Sequence, residues 1–494
     1  MSCFTDFWNK HPALLYGLAF TFGIVLALGC VWALLPIALI GCSLFHSQRL
    51  ILFSLLTLSA FCFLRFTTTL PPEEPISGTA HVHITAIKPY RAAFREGFTI
   101  QGTILSFIPD HSSQSITRNI PFSLRTGLAR PKAHGDYVIQ ATLKYQKQLI
   151  VKKGSPWTPV PGSWSLAEWR YQNKDRVRRF ISDRISHPKA ATFLSGIATG
   201  LFNDNTLYAE LSRFGLQHIM AISGFHFACV ALILSFCLRF LFPEKKAAYI
   251  VVLLLTAYFV FLGASPSILR AWVMATLYFL GKILEKQPRA LNSIGVALIV
   301  VLLIDPLSVT SIGFQFTFLV TVSILLFFQP LEATLRPLMK KRPLSHLVQM
   351  DPVNQHGYII VNTIRQIIAL TLSVQIAAVP LALFWFQKFP LMSLIYNAFF
   401  PFLASLSLFL LILGLGLLWI PPVAGLIHTV NSHFTERSLN LAYHLPMSFD
   451  VWLRTEEFSA TFLMIYFCGL FGAGIYLKHL HQEALQVKQD LAYL

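Results

Sequence analysis

Residues 214–232 read Phe-Gly-Leu-Gln-His-Ile-Met-Ala-Ile-Ser-Gly-Phe-His-Phe-Ala-Cys-Val-Ala-Leu. The stretch begins a long apolar run, yet Gln217, His218, Ser223 and His226 come before the run turns uniformly greasy. Lipid offers no hydrogen bonds, so such groups need protein partners or a water-filled lining. A second interruption follows at 263–271, Gly-Ala-Ser-Pro-Ser-Ile-Leu-Arg-Ala, where Pro266 starts a new segment and Arg270 places a charge one turn inside it. Two polar breaks inside apolar runs point to a membrane bundle with an internal polar path.

The composition agrees. Of 494 residues, 55% are hydrophobic and 12% charged, with a mean hydropathy of +0.60, which excludes an ordinary soluble domain. The fold class expected is a polytopic α-helical membrane protein with an inserted small all-β (OB-like) domain outside the membrane. The seven cysteines lie in or beside apolar segments and none falls in 63–228, so neither a disulfide framework nor a CxxC metal knuckle is expected. The first apolar stretch is longer than a signal-peptide core and leads into more membrane-grade sequence, so it reads as retained helices.

Five regions follow. Residues 1–69 hold the N-terminal transmembrane helices. Three short helices in 13–66 put Lys10 and Arg49 on one side, as the positive-inside rule requires, and residues 70 onward on the other. Residues 70–160 alternate apolar and polar between Gly, Pro and Asn breaks, which suits about five short strands of an OB-type barrel. Residues 161–189 interleave Trp, Phe and Ile with Arg and Lys, a helix for the headgroup level. Residues 190–480 contain the second membrane block, with 421–445 open as to whether it crosses, and 481–494 form a polar tail.

Loop charge sets the topology of the second block. Lys245 and Lys246, then Lys286 and Arg289, then Arg336 with residues 340–342, mark alternate connections, while 263–265 and 305–307 carry no Lys or Arg. That alternation places 243–246, 285–289 and 330–357 in the cytoplasm and the start of the 219–242 run outside, together with the β-domain.

The β-domain is strongly basic. Over 76–155, Lys88, Arg91, Arg95, Arg118, Arg125, Arg130, Lys132, Lys144, Lys147, Lys152 and Lys153 face only Glu96, Asp110 and Asp136. Tyr90, Phe94, Phe98 and Phe107 lie among them; such aromatics either stack single-stranded bases or fill the barrel core. His81 and His83 share a strand face, but no carboxylate follows at metal-ligand spacing. His218 and His226 fall near one helical face without a third ligand. No metal and no cofactor is therefore expected. Gln315, Gln375 and Asn397 are milder polar intrusions that helix–helix hydrogen bonding also explains. There is no GxSxG elbow, Walker loop or HExxH helix, and Ser223 with a histidine is the sole nucleophile–base pair, so no catalytic residue is assigned and the chain is not read as an enzyme.

The ordered motifs resemble those of the ComEC competence family. Residues 193–200 and 211–226 are similar to the family's "GL.HLLAISGLH" region. Ser265 through Ala271 matches its "SPSxxRA", Asp305-Pro306 its "DP", residues 313–316 its "GFQLSF", and Gln375 to Pro380 and the Asn397 region its "QxxxxP" and "NLxxxP". The resemblance implies a cell inner-membrane channel that conducts single-stranded DNA into the cytoplasm during natural transformation. It makes Gln217, His218, Ser223, His226, Pro266, Arg270, Gln315, Gln375 and Asn397 candidates for the pore lining, and Lys88, Arg91, Arg95, Arg118, Arg125, Arg130, Lys132, Lys144 and Lys147 candidates for DNA contact. Many relatives continue into a metallo-β-lactamase-like domain with an HxHxDH site. No HxHxDH occurs here, so a separate nuclease is expected alongside a periplasmic DNA receptor and a cytoplasmic DNA translocase. No ATPase motif is present, so the driving force comes from a partner or the proton gradient. A small-solute transporter on the same scaffold is the competing reading.

Overall fold

The computed structural model describes residues 2–493 apart from 46, 68–74, 93–94, 111–119, 128–129, 145–147, 153–154, 203, 221–223, 338–341, 343–345, 347–348 and 444–450. Pro12 suits the first turn of a helix, where a missing N–H costs nothing, and it starts α2 (Pro12–Ala27) at a 95° bend from α1 (Ser2–Lys10). A short α3 (Leu34–Ser43) returns the chain, and α4 (Arg49–Thr67) leads out towards the β-domain. The three helices expected over 13–66 are present. The middle one is about 15 Å long at 1.5 Å per residue, half a hydrocarbon core.

The β-domain is a nearly closed barrel of β1 (Ile76–Ala92), β2 (Arg95–Pro109), β3 (Ile120–Thr126), β4 (Tyr137–Lys144) and β5 (Gln148–Val151). The strands run in the order β1-β2-β3-β5-β4, β4 returns to pair with β1, and β6 (Thr158–Pro159) flanks β4. All pairs are antiparallel except β3 with β5. This is the five-stranded, partly open barrel of OB-type domains. Its interior is Val82, Ile84, Ile100, Ile104, Phe107 and Leu143, the inward set of a period-two pattern.

Within the helix expected over 164–189, α5 (Ala167–Ser182) forms and ends at Ser182; after 183–187, Pro188 opens α6 (Pro188–Thr199). Then come α7 (Asn205–Arg213), α8 (Gln217–Met220), α9 (Gly224–Arg239), α10 (Glu244–Leu262), α11 (Pro266–Ile283), α12 (Ala290–Ile304), α13 (Ile312–Leu335), α14 (Pro352–Phe386), β7 (Lys388–Pro390), α15 (Ser393–Gly416), α16 (Pro421–Tyr443), β8 (Trp452–Arg454) and α17 (Ala460–Tyr493). Of the 219–242 run, Ile219 and Met220 lie in α8 and residues 224–239 in α9, while 221–223 lie outside the described residues.

Among the described residues six helices are long and apolar enough to cross a membrane, or seven if α1 and α2 count as one broken span. The chain is a multi-pass helical membrane protein with an inserted β-domain. Its outward surface carries large apolar groups such as Leu232, Leu253 and Trp419, while Ser195, Arg270, Ser323, Arg365 and Ser373 are buried. That inversion is the arrangement lipid favours, since interior polar groups find partners that hydrocarbon cannot supply.

Contacts sort the helix ends. Arg49 donates to Trp8 O at 2.7 Å and Arg289 to Lys10 O at 2.9 Å, and Lys245 pairs with Glu285. Lys10, Arg49, Lys245 and Arg289 therefore gather at one end. At the other end, α5 is pinned to the last turn of α10 by Arg170 Nε to Val260 O (2.7 Å) and Lys174 Nζ to Leu262 O (2.8 Å). Cations suit the unpaired carbonyls at a helix C-terminus. The β-domain, packed on α5, sits at this end.

Residues 421–443 form α16, which is not among the six crossing-grade helices. Tyr396 near the start of α15 donates to Leu441 O near the end of α16 at 2.8 Å, so the two helices are antiparallel. At about 34 Å, α16 carries the chain from the α15 C-terminus back to the β7–β8 ribbon. Its packed side is polar: Asn431 donates to Ser407 O at 3.1 Å and Thr435 to Ser407 Oγ at 2.9 Å.

Helices α2 and α12 touch backbone to backbone at two glycines. A Cβ on Gly17 would lie 2.6 Å from Gly295 O, and one on Gly295 would strike Ala13 O. Gly295→Val must therefore push the helices apart; an expected loss of about 1–3 kcal/mol, the usual cost of overpacking, is checked by thermal unfolding in detergent against Val296→Leu.

Candidate conduction site

The opening stretch folds as a short polar corner. Gln217 Oε1 accepts from Ser212 Oγ at 3.3 Å, tying α8 to α7, and His218 Nδ1 lies 3.0 Å from Gly215 O. Gly215 has a φ of +68° and presses against Ser393 at the start of α15, a position with no room for a side chain. Two residues into α9, His226 is buried, and it is an electrostatic neighbour of His218. Ser223 lies outside the described residues.

Arg270 is the centre of the site. Pro266 opens α11, with Ser265 as its N-cap, and one turn later the Arg270 side chain turns into the bundle, where it is 9% exposed. Snorkelling to the headgroups is thereby excluded. Its Nη1 donates to Thr317 O and Thr321 Oγ1 of α13, Nη2 meets the position of a Cβ on Gly224, and Nε has no partner. No carboxylate pairs with it among the described residues. A guanidinium buried this far keeps its positive charge inside the bundle.

The other candidates separate. Gln315 accepts from Trp385 Nε1 at 2.8 Å and donates to Val309 O at 3.2 Å, so it is a helix–helix tie between α13 and α14. Gln375 is buried with Oε1 unpaired, and Asn397 has an unpaired Oδ1. The contacts thus link α8, α9, α11 and α13 around Arg270, while Gln315, Gln375 and Asn397 stand on α13, α14 and α15 outside that group.

The β-domain candidates also divide. Arg130 is not a free cation: its fork holds Glu168 bidentately at 2.6 and 3.0 Å, and it stacks over Phe98 and Tyr171 at 5.1 and 4.7 Å. Sequence spacing could not show that a carboxylate 38 residues away occupies it. Burial alone would raise the Glu168 carboxyl, but Arg130, the Ala133 N–H and the Gln172 amide outweigh it and hold it at about 2. Lys88, Arg125 and Lys132 are exposed. Lys88 is in register with Thr99 and Thr99 with Arg125, so the two cations share one row across three strands, with Arg125 5.6 Å above the Tyr90 ring. Burial, with repulsion from Lys88 and then Arg170, lowers the Lys174 ammonium to about 8, which places Lys88 at the barrel end facing α5 and α10. Arg91, Arg95 and Lys144 lie on β1, β2 and β4, and Arg118 and Lys147 lie outside the described residues. Phe107 is fully buried and Phe98 is packed, so both are core rather than stacking platforms; Tyr90 keeps its outward position, and Phe94 lies outside the described residues.

Two groupings were invisible in the linear sequence. Asp136, at the start of β4, approaches His83 Nδ1 at 2.6 Å and His81 Nε2 at 3.4 Å, supplying the carboxylate that local spacing lacked. Arg365 of α14 is 2% exposed and pairs with Glu332 of α13 at 2.8 Å, which also holds Arg336. The i, i+4 spacing of Glu332 and Arg336 was the available signal for part of this group.

Comparison with known proteins gives one family. The competence protein family matches residues 202–480. The chain is 31% identical over 139 residues to ComE operon protein 3 of Bacillus subtilis, covering 27% of this chain and 18% of that protein. It is 27% identical over 190 residues to the uncharacterized protein MG316 homolog of Mycoplasma pneumoniae, covering 37% of this chain and 46% of that one. The matches thus span less than half the length of either relative. No solved structure matches.

Proposed function

The chain belongs to the competence protein family, and on that premise we propose that it conducts single-stranded DNA across the cytoplasmic membrane during natural transformation. The single observation behind this reading is the row of Lys88 and Arg125 on the barrel with Lys174 beside Lys88 at the end of α10, the helix that directly precedes the Arg270 helix. Phosphates bound by the exposed cations release counterions and dock the strand. In this proposal the barrel lies on the outer side, since it is opposite the Lys- and Arg-rich loops that face the cytoplasm. The strand then enters at the Gln217–His226 corner and meets Arg270 as the first buried charge. The chain's own residues guide the strand and break no bond; a DNA receptor outside, a translocase inside and a nuclease are the partners this role requires.

Binding of a fluorescent oligonucleotide to the full chain in detergent tests the reading. Affinity should fall linearly with salt on a logarithmic plot, and Lys88→Ala with Arg125→Ala should flatten the slope by about 0.7 for each phosphate no longer neutralised. No binding at low salt would favour a transporter of small solutes instead.

A further inference from the structure

The corner between α5 and α6 meets α16 through three side chains outside the conduction site. His187 Nε2 lies 3.0 Å from His433 Nδ1, and His187 Nδ1 lies 3.0 Å from Glu436 Oε2. One ligand atom from each residue falls within 4.8 Å of the others, and among the described residues no other group of His, Cys, Asp and Glu meets that condition. The corner is held in place independently: the His187 N–H donates to Ser432 Oγ at 3.0 Å, and Ser186 Oγ donates to the same oxygen at 3.0 Å. Histidine backbone and ring are thus both oriented before any ion arrives.

We propose that His187 Nε2 and His433 Nδ1 bind a divalent transition-metal ion of the zinc type. Two nitrogens on a tetrahedral ion at 2.0–2.1 Å are about 3.3 Å apart, so a shift of a few tenths of an ångström admits it. Glu436 then stands behind His187 and accepts its Nδ1–H. This is the carboxylate–histidine–metal order that fixes the tautomer and raises ligand basicity. His433 is exposed, so the remaining coordination positions open to water. Imidazole donors select zinc or its neighbours over magnesium, which prefers an all-oxygen shell. The ion would staple the corner to α16, and α5, which ends at that corner, carries the barrel through Glu168 and Arg130. The alternative is a chain of two hydrogen bonds that shares one proton between the imidazoles.

Zn2+ titration of the full, untagged chain in detergent, after chelator treatment, separates the two. The readouts are metal bound per chain by competition with a fluorescent chelator, and the thermal midpoint. Wild type should bind one Zn2+ that His433→Ala does not bind. His433→Asn, which keeps a hydrogen-bonding group near Nδ1 and the fold but is a poor ligand, should lose it too. Glu436→Gln should weaken binding about 10–100-fold, and Mg2+ should leave the midpoint unmoved. Equal Zn2+ binding by wild type and both His433 variants, or no binding by wild type, would overturn the proposal and leave the hydrogen-bonded chain.

Discussion

Arg270→Met is expected to lower transformation at least tenfold while leaving the protein as stable as wild type or more so. The two effects oppose each other for a physical reason. A buried guanidinium with no carboxylate partner among the described residues carries a desolvation cost of several kcal/mol, which a well-packed apolar side chain of similar length avoids. Its two acceptors on α13 satisfy Nη1 but leave Nε unpaired. The same excess positive charge is what a passing phosphate would neutralise. One charge-assisted hydrogen bond of about 1.5–3 kcal/mol corresponds to roughly a 10–100-fold change. The measurement pairs transformation frequency with thermal unfolding of the purified variant. Arg270→Lys should recover part of the uptake, because it keeps the charge but not the fork. A variant that unfolds early, or one that transforms normally, would remove Arg270 from the path.

Glu168→Gln should release the barrel from α5. The Glu168 and Arg130 side chains are 3% and 11% exposed, and the carboxylate also caps the Ala133 N–H and receives the Gln172 amide. Removing one partner of such a pair costs about 3–5 kcal/mol, since the other is left charged in a dry place. The carboxyl titrates at about 2 in the fold, below its ordinary value of 4.5, so the bonded arrangement is stable above that ordinary value and is lost as pH falls towards 2. In the variant this acid sensitivity should disappear. Limited proteolysis between the barrel and α5 across pH 2 to 6 reads both effects. Equal cleavage of wild type and variant at pH 6 would show that the pair does not hold the domain.

Element type was legible where a single period ran undisturbed. The barrel strands, the apolar spans and the alternation of loop charge each followed from local pattern, because lipid and a half-buried sheet impose strict rules on successive residues. The Arg270 site was legible only as a costly position, since polarity at depth marks need but not partner. Arg130 shows the converse: a Lys/Arg count cannot tell a free cation from one that a distant carboxylate has taken. The packed polar side of α16 escaped for the same reason, because its partners stand on α15.

By itself, then, the sequence determined a helical membrane bundle, an inserted basic barrel, their separation from the Lys- and Arg-rich loops, and the family motifs around 214–226 and 265–271. The tertiary structure decided that Glu168 takes Arg130, that Arg270 faces inward with no carboxylate partner among the described residues, and that His187, His433 and Glu436 meet. Membrane placement and strand pattern are written in neighbours along the chain. The pairing of a charge depends on residues that only folding brings within reach, and that pairing separates a structural cation from a functional one.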